Sequence, residues 1–168
     1  FKLRSDGGVS FGQGAQVTNS FGVAVGSNAN ASGYGSMAAG FSSTASGNYA
    51  NVFGYINTAS GNNSTALGYV ATSSGVNSTA IGTRITAEGA GSMGIGLLDN
   101  AGLVTTPPRV TGTNSLGIFI GAHQSLVVPT SNQMSLLGGK MVIDPRVPAA
   151  NRAGSGNLDT GHRWILGL

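Results

Sequence analysis

Between residues 23 and 96 short apolar runs recur at a fixed interval, separated by polar ones. The apolar runs are VAVG (23–26), MAAG (37–40), NVFG (51–54), TALG (65–68), TAIG (79–82) and MGIG (93–96). Between them lie NASG (30–33), TASG (44–47), TASG (58–61), TSSG (72–75) and TAEG (86–89). Every run ends in glycine, so glycine falls every seven residues from Gly26 to Gly96. Because the two kinds of run alternate, the true unit is fourteen residues, present about five times between Ser27 and Gly96. An internal repeat of this length marks a stacked architecture.

The columns of the repeat separate by chemistry. Just before the glycine of the first run stand Val25, Ala39, Phe53, Leu67, Ile81 and Ile95, an apolar stack. The matching place in the second run holds Ser32, Ser46, Ser60, Ser74 and Glu88. One residue earlier both runs are small, as at Ala24, Ala38, Ala66, Ala80 and Ala31, Ala45, Ala59, Ala87, with Val52 the exception. Thr44, Thr58, Thr72 and Thr86 form a further column. Small and β-branched runs between glycines predict short strands with tight turns, the glycines serving as corners because they accept positive φ. A glycine in every seven residues opposes helix at about 1 kcal/mol each. Two strands and two turns in fourteen residues make one coil of an all-β solenoid. Coils stacked about 4.8 Å apart make five of them a prism roughly 24 Å long. One apolar residue and some alanines per coil is a thin core, and repeats stabilise chiefly through neighbours. The small-residue columns are expected to let another surface approach closely, which predicts three copies side by side, with Val25, Phe53, Leu67, Ile81, Ile95, Ala66 and Ala80 as core and trimer scaffold.

Composition sharpens this picture. The 168 residues include 29 glycines, no cysteine and only 8% charged residues. Large apolar side chains are too few for a helical bundle or an ordinary α/β core, and disorder of the usual kind needs high net charge that is absent here. A net charge of +3 reflects scarce acids rather than a basic patch, which argues against nucleic acid. No apolar run is long enough to insert in a membrane as a helix. The beginning, Phe1-Lys2-Leu3-Arg4-Ser5-Asp6, is not a signal peptide and reads as part of a longer chain.

NSTALG (63–68) and NSTAIG (77–82), with YVATSSG and TRITAEG between and after them, resemble the head repeats of YadA-like trimeric adhesins. The resemblance covers roughly residues 20–96. It implies a left-handed parallel β-roll, homotrimeric, serving as a non-catalytic adhesive head. Similar repeats occur in phage and phage-like tail fibres. Tyr34-Gly35-Ser36-Met37 and Asn48-Tyr49-Ala50-Asn51 depart from the Asn-Ser pattern. The motif residues are scaffold, so the resemblance assigns no binding residue.

Four regions are expected: an entry strand or connector at 1–19, head repeats at 20–96, irregular repeats with inserted loops at 97–143, and a tip or cap at 144–168. Leu97 to Gly112, with Pro107-Pro108, reads as an inserted loop, and NSLGIFIG (114–121) restores the pattern once. In the last region Arg152, His162, Arg163 and Trp164 form the candidate receptor contact, since Trp and Arg are enriched in binding hot spots. The alternative is that Trp164 and its neighbours cap the last coil. Tyr34, Phe41, Tyr49, Tyr55 and Tyr69 lie at or next to turns, either as a contact stripe or as packing against a neighbouring chain.

Chemistry of other kinds finds little support. His123 and His162 are the only histidines, and on a threefold axis either would supply three metal ligands, but each reads more simply as a surface residue. Asp6, Glu88, Asp99, Asp144 and Asp159 show no spacing of a catalytic carboxylate pair. Gly94-Ile95-Gly96 and GSGNLDTG (154–161) lack the Lys-Ser/Thr ending and following helix of a phosphate loop. The threonine ladder suggests either ice binding or, by preference, a solvated strand face. No enzyme, cofactor or metal is expected. The reading is an extracellular receptor-binding or adhesive module, at a phage-like tail-fibre tip on a bacterial surface, with a cell-surface glycan or protein as receptor. The rivals are the head of a bacterial trimeric autotransporter binding host matrix and a polysaccharide-cleaving trimeric spike.

Overall fold

A computed structural model describes residues 1–97, 106–121 and 126–138. Among the described residues there is no helix, and the chain winds into two stacked β-sheets. The major sheet has ten strands and the minor sheet eight, and successive strands of the chain alternate between them. Every pairing is parallel except the first, where Lys2–Leu3 runs antiparallel to Val9–Phe11. Within the repeats the register is fourteen residues: Thr65 pairs with Thr79, Ala66 with Ala80, Leu67 with Ile81 and Gly68 with Gly82. In the minor sheet Thr44 pairs with Thr58, and Thr72 with Thr86. One coil therefore holds one strand of each sheet, and about eight coils stack.

The solenoid extends beyond the repeats legible in the sequence. Val9–Phe11 and Gln16–Val17 form a full coil inside the stretch expected as a connector. On the far side, Met93–Leu97 pairs with Leu116–Ile120, and that strand with Met134–Leu137. Thr86 pairs with Arg109, and Arg109 with Val127, so the spacing widens from fourteen to 23 and then 18 residues while the ladder continues. Both longer connections join a major strand to the next minor strand, at the same corner of the coil.

The interior corrects one expectation. Ala24, Ala38, Ala66 and Ala80 are fully buried, and they face Ala31, Ala45, Ala59 and Ala87 of the minor sheet. The small columns thus face each other inside the coil, and the surface they admit is the chain's own opposite sheet rather than a second copy. Strand alternation then sends the larger neighbours outward. Val25, Phe53 and Leu67 are exposed at 39%, 37% and 42%, and Ile81 and Ile95 are half-buried. Of the expected scaffold, Ala66 and Ala80 are core, and the other five lie on the outer face.

Two corner columns complete the interior. One holds Ser36, Ala50, Ser64, Ser78 and Ser92, all buried. The other holds Ala29, Ser43, Asn57, Ala71 and Ile85. Near the far end the packing is traded. Gly96 is matched by Phe119, which is buried, and a Cβ on Gly117 would stand 2.7 Å from its ring. Glycine at 117 makes room for the phenylalanine.

The heptad glycines flank the corners rather than form their tips. Gly40, Gly54, Gly68 and Gly82 have φ between 114° and 132°, reachable without strain only by glycine. Gly47, Gly61 and Gly75 have no such φ, but a Cβ on each would fall on the carbonyl oxygen of the equivalent glycine one coil on. The left-handed tips lie two residues later, at Tyr49, Asn63 and Asn77 on one corner and Ser42, Ile56, Val70 and Arg84 on the other. The first corner is a four-residue turn closed by hydrogen bonds such as Ser64 N–H to the Gly61 carbonyl (3.2 Å).

Candidate interaction surface

The two sheets present unlike outer faces. The minor face carries half-buried Thr44, Thr58, Thr72 and Thr86 beside exposed Ser46, Ser60 and Ser74. The major face carries Phe11, Val25, Ala39, Phe53, Leu67, Ile81, Ile95, Ile118 and Leu136 in register, one per coil. A second outward column beside it runs Val9, Val23, Met37, Asn51, Thr65, Thr79, Met93, Leu116 and Met134. Neither column contains a charged residue.

Aromatic ladders border this face. Where the strands leave the sheet, Phe41, Tyr55 and Tyr69 stack with centroids 5.1 and 5.2 Å apart and planes within 9°. The stack follows from the coil spacing, since in-register side chains one coil apart lie at ring-stacking distance. Arg84 lies over the Tyr69 ring, with its guanidinium carbon 5.9 Å from the centroid. At the opposite corner Phe21, Tyr34 and Tyr49 pack edge to face, with 5.6 Å between successive centroids. The five aromatics read as lying near turns therefore sort into two ladders. Phe21, which the sequence reading missed, completes the second.

A polar spine supports the first ladder. Asn57 is fully buried, and its Nδ2 donates to the carbonyls of Phe53 (2.8 Å) and Gly68 (2.7 Å). Its Oδ1 accepts the Ala71 amide at 2.7 Å. One side chain thus ties three coils at the corner that carries Tyr55. It was missed because a lone asparagine in a loop carries no distinguishing pattern.

The described acids are both engaged in ion pairs. Asp6 binds Arg4 at 2.7 Å, and Glu88 lies 3.4 Å from Arg109. The hydrogen bond from Arg4 holds the Asp6 carboxyl down at about 2; desolvation acts against it, and the Gly8 amide and the Arg4 charge add to it. Gly94 and Gly96 lie within strand Met93–Leu97, which leads into no helix, so the string at 94–96 is sheet rather than phosphate loop. Arg152, His162, Arg163 and Trp164, His123, Asp99, Asp144, Asp159 and the string at 154–161 lie outside the described residues.

A comparison with curated proteins gave no match. The YadA head domain repeat matches residues 5–29, 31–50 and 53–84. The matched residues begin in the first coil and run through six successive coils of the solenoid. The chain therefore carries YadA-like head repeats, an adhesin-type module, between residues 5 and 84.

Proposed function

We propose that this chain is a non-catalytic receptor-binding or adhesive module of a homotrimeric fibre, displayed outside the cell, and that its coils wind left-handed. The observation that carries the reading is the uncharged apolar face of the major sheet. The interior hides only alanines in most coils, and each methyl-sized group contributes about 0.8 kcal/mol. Covering half-exposed Leu67 or Ile81 adds about 1 kcal/mol each on the same scale. Nine parallel major strands, about 4.8 Å apart and about 17 Å long, offer a flat area of roughly 700 Å². That is close to the roughly 800 Å² each partner contributes to a stable interface. Three copies around an axis cover that face in every copy, leave the hydroxyl face outside, and present each receptor contact three times, which raises avidity.

Placement at a phage-like tail-fibre tip is favoured by the irregular coils after residue 97, which depart from uniform head repeats. The match to YadA head repeats favours a bacterial adhesin head instead. Binding of the purified chain to whole bacteria supports the first, and binding to host matrix protein the second. In either case Trp164→Ala, with Arg152, His162 and Arg163 left in place, is expected to weaken binding at least tenfold. Sedimentation tests the assembly: the expected mass is about three times 16.6 kDa, and a stable monomer at micromolar concentration overturns it. Release of sugar from capsular polysaccharide by the pure chain would overturn the non-catalytic reading.

A further inference from the structure

The N-terminal end of the solenoid is finished differently from its middle. The minor sheet ends at Gln16–Val17, with no strand beyond it. Gln16 and Thr18 donate their amides to Ala29 and Ala31 of the next coil (2.8 and 3.2 Å), so the alternation of a parallel ladder turns the Val17 carbonyl toward the free end. Elsewhere that carbonyl would accept an N–H from the preceding coil. Here Arg4 supplies the donor, with Nη1 3.1 Å from the Val17 oxygen. The guanidinium is itself fixed by Asp6, which accepts from Nε (3.0 Å) and Nη2 (2.7 Å) and from the Gly8 amide (3.2 Å). A tight turn sets this geometry, with Arg4 N–H bonded to the Gly8 carbonyl at 2.8 Å. A recess of about 250 Å³, lined by Lys2, Arg4, Ser10, Gln16, Val17 and Thr18, lies over the same edge.

We propose that the end of the minor sheet at Gln16–Val17 is a strand-pairing surface for a second copy of this chain, held shut by Arg4. The occupant has to be a parallel strand, because every minor-sheet pairing is parallel. A second copy offers one at its other end: Val127–Val128, the last minor strand, repeats the exposed-then-buried alternation of Gln16–Val17. Such a head-to-tail contact does not close on itself and would propagate into filaments. Arg4 fills the donor position that the incoming strand requires, so the resting unit keeps a finite length. This inference does not rest on the trimer, since it concerns the end of the solenoid and not its side.

The test compares the wild type with Arg4→Met, which keeps the aliphatic stem and removes the donors, by sedimentation velocity from about 1 to 100 μM and by electron microscopy. The wild type is expected to hold one mass throughout. Arg4→Met is expected to form end-to-end multiples of that unit mass, at least tenfold more abundant at the top of the range. Adding Gln16→Lys in that background is expected to restore the single species, since an edge lysine opposes strand pairing. Arg4→Met with native circular dichroism and wild-type mass at every concentration would overturn the proposal. Should that variant unfold, hydrogen exchange on the wild type decides: slow exchange of the Arg4 and Gly8 amides supports the closed end, and exchange at free-peptide rates overturns it. The unit mass is read from the wild type, so either result leaves the trimer question separate.

Discussion

The two outer faces hang on the same interior and yet differ completely. Behind Thr58 and behind Leu67 lies the same kind of residue, a fully buried alanine. The core therefore does not dictate what each strand shows to the outside. On the minor face the chain places hydroxyls, which water satisfies; on the major face it places leucine, isoleucine and phenylalanine. A solenoid that needed only solubility would carry the first pattern on both sides. The contrast teaches that outward residues, which play no part in closing the coil, carry the information about association.

The sharpest way to break this comparison is to exchange size across one strand. Ala66→Leu is expected to lower stability by about 3 kcal/mol or more, because no space separates it from the opposite sheet. Leu67→Ala, next along the chain, is expected to cost less than about 1 kcal/mol in the isolated coil; equal effects in urea denaturation would refute the assignment of inside and outside. Next in size is the effect of charge. Leu67→Asp with Ile81→Asp is expected to reduce the assembly to the mass of one chain, whereas Thr58→Asp with Thr72→Asp leaves the assembly unchanged. If both pairs dissociate it, the faces do not differ in role. Asn57→Ala is expected to cost about 1–3 kcal/mol, since the Ala71 amide and two carbonyls lose their partner. Tyr55→Ala, which splits one ladder, is expected to cost about 1 kcal/mol by thermal denaturation. The smallest effect concerns Asp6. Its folded pKa is depressed, so its contribution is complete above the ordinary carboxylate range and fades as pH falls through about 2. Hydrogen exchange of the Gly8 amide should accelerate over that interval relative to a control amide such as Ser64, and no relative change would count against the ion pair.

Much of the coil was legible in the sequence because glycine every seven residues fixes which positions stack, and Leu67 does pair with Ile81 as the columns imply. Which side of the strand faces inward was less legible. Both Ala66 and Leu67 are apolar, and only the width of the coil decides that the methyl group goes in. The corner tips were hidden for another reason. Asn63 and Asn77 are ordinary left-handed residues, but Ile56 and Val70 also take positive φ, against their β-branched preference. Stacking holds them there: the Ile56 and Val70 amides donate to the carbonyls of Phe41 and Tyr55 in the coils before (2.9 Å each). The first coil at Val9–Val17 escaped notice because Gln16-Val17 lacks the small residue and glycine that mark later repeats. The closed end built from Arg4 and Asp6 depends on three contacts with no periodicity at all.

Two connections longer than the repeat, one of 23 residues in register and one of 18, fall at the same corner and leave the strands on either side paired. That seam tolerates changes of length, so evolution or an engineer can vary a displayed segment there while the rest of the rod keeps its pitch. Foreign peptides spliced at this corner in the earlier coils, between Gly68 and Ala71 for instance, should ride along the shaft like labels on a ruler, at heights set by the spacing of the coils.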